Sequence, residues 1–233
     1  MRKERKLRRL IYVPIIHVSA DLGEVASEID KRAGSSFGKE DWKKHKDTVS
    51  GFWDSIVRYF FPLEVKDFKV YQDGMVADGE MGMRIVSEGE KKGSINYKIV
   101  SRLVKQGAQL VRTEDFSLVK KEYDYIIKIA RAKKMVKRII AALNYRVHKK
   151  KLLRERDESI TDTIDKTLGK GETGILFLGA HHEIVSKLPE DIDIIEVKKR
   201  DIINKYQKAF LSKKDKEKLS KLAEYLTSPI ECK

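Results

Sequence analysis

Hydrophobic and polar positions alternate along this chain in two periods. Five short runs are rich in β-branched and aromatic residues: LIYVPIIH (10–17), FKVYQD (68–73), AQLVRTE (108–114), GILFLGAHH (174–182) and DIDIIEVK (191–198). Several are almost continuously apolar, which predicts strands covered on both faces, as in parallel sheets. Helical spacing of apolar residues fills the intervals 21–33, 39–60, 94–106, 115–150, 157–168 and 213–227. Asp21 stands where the first of these would be capped, and Gly107 closes the 94–106 pattern. In 39–60, Trp42, Phe52, Trp53, Ile56 and Phe60 predict a helix, or a pair broken near Ser50–Gly51. The segment DGMVADGEMG (73–82) reads as a loop. Strand followed by helix, repeated, predicts an α/β fold: a mostly parallel central sheet of about five strands flanked by helices, with a long basic helical segment. One domain would span 1–233, with 115–156 as a helical insertion or hairpin and 213–233 as a Lys-rich C-terminal tail.

Composition narrows the setting. With 233 residues, 41% of them hydrophobic, the chain can bury a core. The net charge of +14 favours acidic partners, such as nucleic acid, phosphorylated metabolites or an anionic membrane. The lone cysteine, Cys232, excludes both a disulfide framework and a cysteine-based zinc site. It fits a reducing, cytoplasmic setting. The opening MRKERKLRRLIYVPIIHVSA imitates a signal peptide, but its apolar run is short and an acidic helix-like segment follows, so it reads as a first strand. No run approaches the roughly 18 apolar residues that a membrane span requires.

The ends of the strands carry the candidate chemistry, because open parallel sheets bind ligands beyond their carboxyl edges. The first run ends in His17, with Asp21 beyond; the second in Asp73, with Asp78 and Glu80 in the following loop. The third ends in Glu114 and Asp115, the fourth in His181, His182 and Glu183, and the fifth near Glu196. Imidazole and carboxylate together ligate zinc, manganese or cobalt, and they serve equally as general acid and base without metal. Neighbouring residues of a strand point to opposite faces, so His182 is expected in the site and His181 beside it as support. Bland roles compete with these. Glu114 and Asp115 would also cap the long helical pattern after them, Asp73 would also shape a turn before Gly74, and His17 would also serve as a satisfied core residue. His45 and His148 lie in Lys-rich helical contexts and are expected at the surface.

A strand running into Gly179-Ala180-His181-His182 resembles the G-x-x-H motif of a superfamily that includes the TraB proteins, the Tiki proteases, the erythromycin esterases and the ChaN haem-binding proteins. Such proteins carry a second motif on the first strand, with Glu and Arg residues between the two. Here Pro14-Ile15-Ile16-His17 keeps the histidine but departs from the motif, with Pro where Gly is expected. Glu114 and Arg156 are similar to the intervening acid and base, and RERDESITDTI around Arg156 resembles the family's Arg-Asp helix segment. The resemblance implies metal-dependent peptide hydrolysis, ester hydrolysis or haem binding. It supports an intracellular hydrolase with His17, Glu114, His182 and Arg156 as catalytic candidates. His17, His182 and Glu114 would hold a manganese, cobalt or zinc ion, and Asp73, Asp78, Glu80 and His181 would contact substrate. Arg156 would hold an anionic group or a developing oxyanion.

The competing function lies in 128–156, KIARAKKMVKRIIAALNYRVHKKKLLRER, where twelve residues are Lys or Arg and only Glu155 is acidic. Ile127, Ala130, Met135, Ile139, Ile140, Leu143 and Val147 form an apolar stripe near helical spacing, so one face is expected to pack while the other carries charge. Lys133, Lys134, Lys137, Arg138, Lys149, Lys150 and Lys151 would attract a nucleic-acid backbone without reading bases. The same charge would suit an anionic membrane or an acidic partner.

Overall fold

The structure is a computed structural model that describes residues 7–16, 26–213 and 215–231, with the backbone alone for 26–30. His17, the cap expected at Asp21, and Cys232 therefore lie outside the described residues. Strands β1 (Arg8–Ile15), β2 (Lys69–Gln72), β3 (Gln109–Leu110), β4 (Thr173–Gly179) and β5 (Ile192–Glu196) form one sheet in the order β3-β2-β4-β1-β5. Every pairing is parallel. The expected α/β architecture is thus present.

Strict alternation divides the apolar side chains of the strands between two cores. Ile11, Val13 and Ile15 of β1, Val70 of β2, and Ile175 and Phe177 of β4 face one side. There they meet α2 (Lys39–Phe60), on which α1 (Ala26–Phe37) packs, and α3 (Gly79–Lys91), α4 (Ile95–Lys105), α7 (Arg200–Ser212) and α8 (Lys216–Thr227). Leu10, Tyr12, Tyr71, Leu176 and Leu178 face the other side, which is covered by Ile160, Ile164 and Leu168 at the end of α6 (Met135–Thr167). A sheet buried on both faces needs almost unbroken apolar strands, as these are. Pro14 is accommodated because the β5 ladder ends before it. The Tyr12 carbonyl accepts the last bond on that side, from Val197 N–H at 2.9 Å, so the N–H that proline lacks at position 14 would have had no strand to reach. At the opposite edge of the sheet Arg8 is buried and bonds Asp191 through Nε and Nη2 and Asp165 through Nη1.

Several elements differ from expectation. Residues 39–60 form one helix without a break at Ser50–Gly51. Gly51 serves a crossing instead: a Cβ there would stand 2.7 Å from Thr227 Cγ2 of α8. The segment 73–82 is a loop only as far as Asp78, after which α3 begins. Helix α7 went unpredicted; it buries Ile203, Tyr206 and Phe210 on one face. The C-terminal tail is mostly α8, which buries Leu226 and packs on α2. The basic region is a hairpin of α5 (Phe116–Arg131) and α6, and the expected 157–168 helix is simply the end of α6.

The apolar stripe of 127–147 also departs from its expected role. Ala130 is buried, but Met135, Ile139, Ile140, Leu143 and Val147 are exposed. His148 is exposed as expected, whereas His45 is half-buried between α2 and α7, with Nδ1 2.9 Å from the Tyr206 hydroxyl. Burial pulls His45 down to about 4.

Candidate functional site

The carboxyl ends of β2 and β4 lie side by side, because Gln72 pairs with Phe177. Chain reversal beyond these ends is local chemistry. Gly74 takes φ 75°, which favours glycine, and turns the chain directly after Asp73. After β4, His182 N–H donates to the Gly179 carbonyl at 3.1 Å, closing the turn of the Gly179–His182 motif. Gly179 is needed for a close approach: a Cβ there would lie 3.2 Å from Asp73 Oδ2 and 3.5 Å from His182 Cδ2.

Arg156, near the middle of α6, reaches into this corner. It stands in a row of apolar positions with Leu152, Ile160 and Ile164, all of them buried. Its Nε donates to Glu114 Oε2 at 2.6 Å, and its Nη2 donates to Glu114 Oε1 and to Asp73 Oδ1, both at 2.7 Å. Nη1 bonds Glu122 of α5. Backbone donors complete the cluster: Gly74 N–H to Glu114 Oε1 at 2.7 Å and Gly179 N–H to Asp73 Oδ2 at 3.0 Å. Glu122 is also bonded by the Tyr145 hydroxyl at 2.6 Å. Three carboxylates against one guanidinium leave an excess of negative charge in a water-poor pocket. Burial pushes Glu114 above the usual carboxylate range, although its bond to Arg156 pulls the other way. Burial alone would lower Arg156, but its bonds to Glu114 and the charges of Asp73, Glu114 and Glu122 prevail and raise it.

The next residue of α6 organises the imidazole. Asp157 Oδ1 lies 2.6 Å from His182 Nδ1, and Asp157 Oδ2 accepts Glu183 N–H at 3.0 Å. His182 and Asp157 are 1% and 2% exposed. Burial would raise Asp157, but its His182 bond, the Glu183 N–H and the nearby charges of His182 and Lys187 together hold it below the ordinary value. An ionised carboxylate only accepts hydrogen bonds, so the facing Nδ1 is the protonated ring nitrogen, and in the neutral tautomer that this selects the lone pair falls on Nε2. That Nε2 lies 3.9 Å from Asp73 Oδ2, beyond hydrogen-bond distance. Arg200 Nη1 and Asn204 Nδ2 of α7 hold the loop behind the ring, donating to the carbonyls of His182 at 2.6 Å and Ala180 at 2.7 Å.

The fold therefore brings Asp73, Glu114, Arg156 and His182 together from four separate segments. His181 is exposed, its ring nearly parallel to that of His182 with centroids 5.9 Å apart. Asp78 and Glu80 are exposed at the start of α3 and are not part of the buried cluster. Glu114 does not cap α5, because Asp115 does, accepting Ser117 N–H at 2.7 Å. Arg156 has Nε, Nη1 and Nη2 all bonded to carboxylates and is 7% exposed, so it positions Asp73 and Glu114 instead of receiving an anion. Asp157 and Glu122 were the residues missed. The signal for Asp157 was its place beside an arginine inside an apolar row; Glu122 had none.

Glu114 also fits poorly as a metal ligand, since both of its oxygens are engaged by Arg156 and one of them by Gly74 as well. The donors better placed for a divalent ion are His182 Nε2 and Asp73 Oδ2. An imidazole whose other nitrogen bonds a carboxylate is the common form of a metal-bound histidine. Among the described residues no group of three His, Cys, Asp or Glu side chains is arranged to hold an ion. Of the basic candidates, Lys133, Lys134, Lys137, Lys149, Lys150 and Lys151 are exposed along the hairpin. Arg138 is turned inward, donating to the Ala132 carbonyl at 3.2 Å. Among the described residues no helix is long and apolar enough to cross a membrane. No family model, curated protein or solved structure matches the chain.

Proposed function

We propose that the protein is a hydrolase whose reaction takes place at the carboxyl edge of the sheet, with His182 as general acid–base and Asp157 as the group that orients it. The single observation behind this reading is the buried His182–Asp157 bond, set directly against Asp73 and the Arg156 cluster. Asp157 fixes the tautomer, so Nε2 is free to take a proton. A water donating one hydrogen to His182 Nε2 and the other to Asp73 Oδ2 would be held between two acceptors 3.9 Å apart. Proton removal by His182 would make that water nucleophilic toward an ester or amide carbonyl. Arg156 and Glu114 keep Asp73 in place, and Gly179 leaves room for it. A manganese, cobalt or zinc ion bound by His182 and Asp73 would supply Lewis acidity at the same position.

The test is hydrolysis of p-nitrophenyl esters and fluorogenic peptides, with and without added manganese, cobalt or zinc, by the wild type, His182→Ala and Asp157→Asn. Expected is a loss of about 10²–10⁴-fold in His182→Ala, with cooperative unfolding retained. Asp157→Asn should reduce the rate and shift its pH profile, because the amide can stabilise the wrong tautomer. Hydrolysis that survives His182→Ala, or no hydrolysis of any substrate with or without metal, overturns the proposal.

A further inference from the structure

The first half of α6 is amphipathic in a way that the fold does not use. From Met135 to Lys151 no side chain is buried. One side of this stretch faces α5: Tyr145 bonds Glu122, the Tyr125 and Tyr145 rings lie 5.6 Å apart, and Tyr125 stacks on His148 at 5.7 Å. Met135, Val136, Ile139, Ile140, Leu143 and Val147 lie elsewhere on the helix and are 52–76% exposed. At about 100° per residue these six span a sector of roughly 140°, centred opposite the line through Arg138, Tyr145 and His148. Exposed apolar patches of this continuity mark interaction surfaces. Lys137 and Lys151 lie along one border of the sector, and Arg146 and Lys150 fall within it toward its C-terminal end.

Three occupants can be weighed by charge and polarity. A second copy would set two strongly basic segments against each other, each with six lysines and arginines and no acidic residue over 135–151. Nucleic acid would satisfy the lysines but leave six bulky aliphatic side chains without a role. The lone aromatic of 128–156, Tyr145, is turned toward α5 and presents no face for stacking bases. An anionic lipid surface accepts both halves of the pattern. Aliphatic side chains enter the boundary between headgroups and acyl chains, and long basic side chains reach back to the phosphates. We infer that residues 135–151 of α6 form a docking surface for anionic membrane, lying flat in the interface without crossing it.

Sedimentation with vesicles tests this on the full chain. Phosphatidylcholine vesicles containing about 30% phosphatidylglycerol should carry the protein down, phosphatidylcholine alone should not, and high salt should release it. Leu143→Asp should lower the partition coefficient about tenfold or more while the unfolding midpoint stays put, because Leu143 touches no core. Lys150→Glu combined with Lys151→Glu gives a second, polar way to weaken the same surface. Failure to bind anionic vesicles overturns the inference, as does binding that neither set of substitutions weakens. A concentration-dependent dimer abolished by Leu143→Asp, with no vesicle binding, would assign the face to a second copy and overturn it. So would RNA binding indifferent to Leu143→Asp in a protein that ignores vesicles.

Discussion

Between Met135 and Lys151 the side chains of α6 lie in solvent or against α5. Between Leu152 and Thr167 the same helix lays Leu152, Ile160 and Ile164 on buried surface and sets Arg156 and Asp157 among carboxylates and His182. Both halves carry aliphatic side chains at helical spacing, but the first has six lysines and arginines and no acid, and the second three lysines and arginines among five acids. They also differ in the surface opposite. Under the second half lies a sheet whose strand ends supply carboxylates and backbone donors. A cation buried there is held by several specific bonds. In the first half a lysine is a solvated charge and an isoleucine is an uncovered patch. Basic periodicity in a helix therefore does not reveal its own meaning, which comes from what the helix rests on.

The sharpest way to break this comparison is to remove a cation from each half. Arg156→Ala would leave Asp73, Glu114 and Glu122 close together without their shared partner and should cost about 3–5 kcal/mol in denaturant unfolding. Lys151→Ala in the exposed half should change stability by no more than about 0.5 kcal/mol. Equal losses would show that burial does not distinguish the halves.

A second contrast sets the buried imidazole of His182 apart from the half-buried one of His45. His182 has a carboxylate, whereas His45 bonds a hydroxyl and is pulled by burial from 6.5 to about 4. The unfolded chain then binds more protons than the folded one between these values. The His45 contribution is thus fully present above about pH 6.5 and is lost as pH falls toward 4. The loss should reach at most about 3 kcal/mol. His45→Gln should flatten the stability–pH curve in that window, and an unchanged slope would remove His45 as its source.

Gly179→Ala probes the packing of the candidate site. Its methyl would press on Asp73 Oδ2 at 3.2 Å, so a cost of about 1–2 kcal/mol is expected, with hydrolysis falling further than stability. The smallest effect belongs to the outer face of α6. Leu143, 54% exposed, should accept aspartate within about 0.5 kcal/mol in thermal unfolding. A large loss would mean that the face packs against the protein itself.

Much of this arrangement could be read along the chain. Continuous apolar runs announced the strands, and the polar residues that ended them announced Asp73, Glu114 and His182. Arg156 came only from the resemblance of RERDESITDTI to an Arg-Asp helix segment, not from composition or spacing. Helix α3 was hidden because GEMGMRIVSEGEK mixes glycines with scattered apolar residues, and the break expected at Gly51 was really a contact with Thr227. Asp78 and Glu80 looked like site residues because they follow a strand closely, yet α3 carries them into solvent.

Hydrophobic period and residue type, which act over a few neighbours, were enough to specify strands, most helices, the α/β class and a carboxyl edge rich in imidazole and carboxylate. Pairwise geometry was not. That Asp157 holds His182 across 25 positions, or Arg156 holds Asp73 across 83, depends on strand order, on register and on the direction in which a 33-residue helix lies. Hydrogen bonds and ion pairs act over a few ångströms, so only the folded chain decides which distant charges meet and which remain in water.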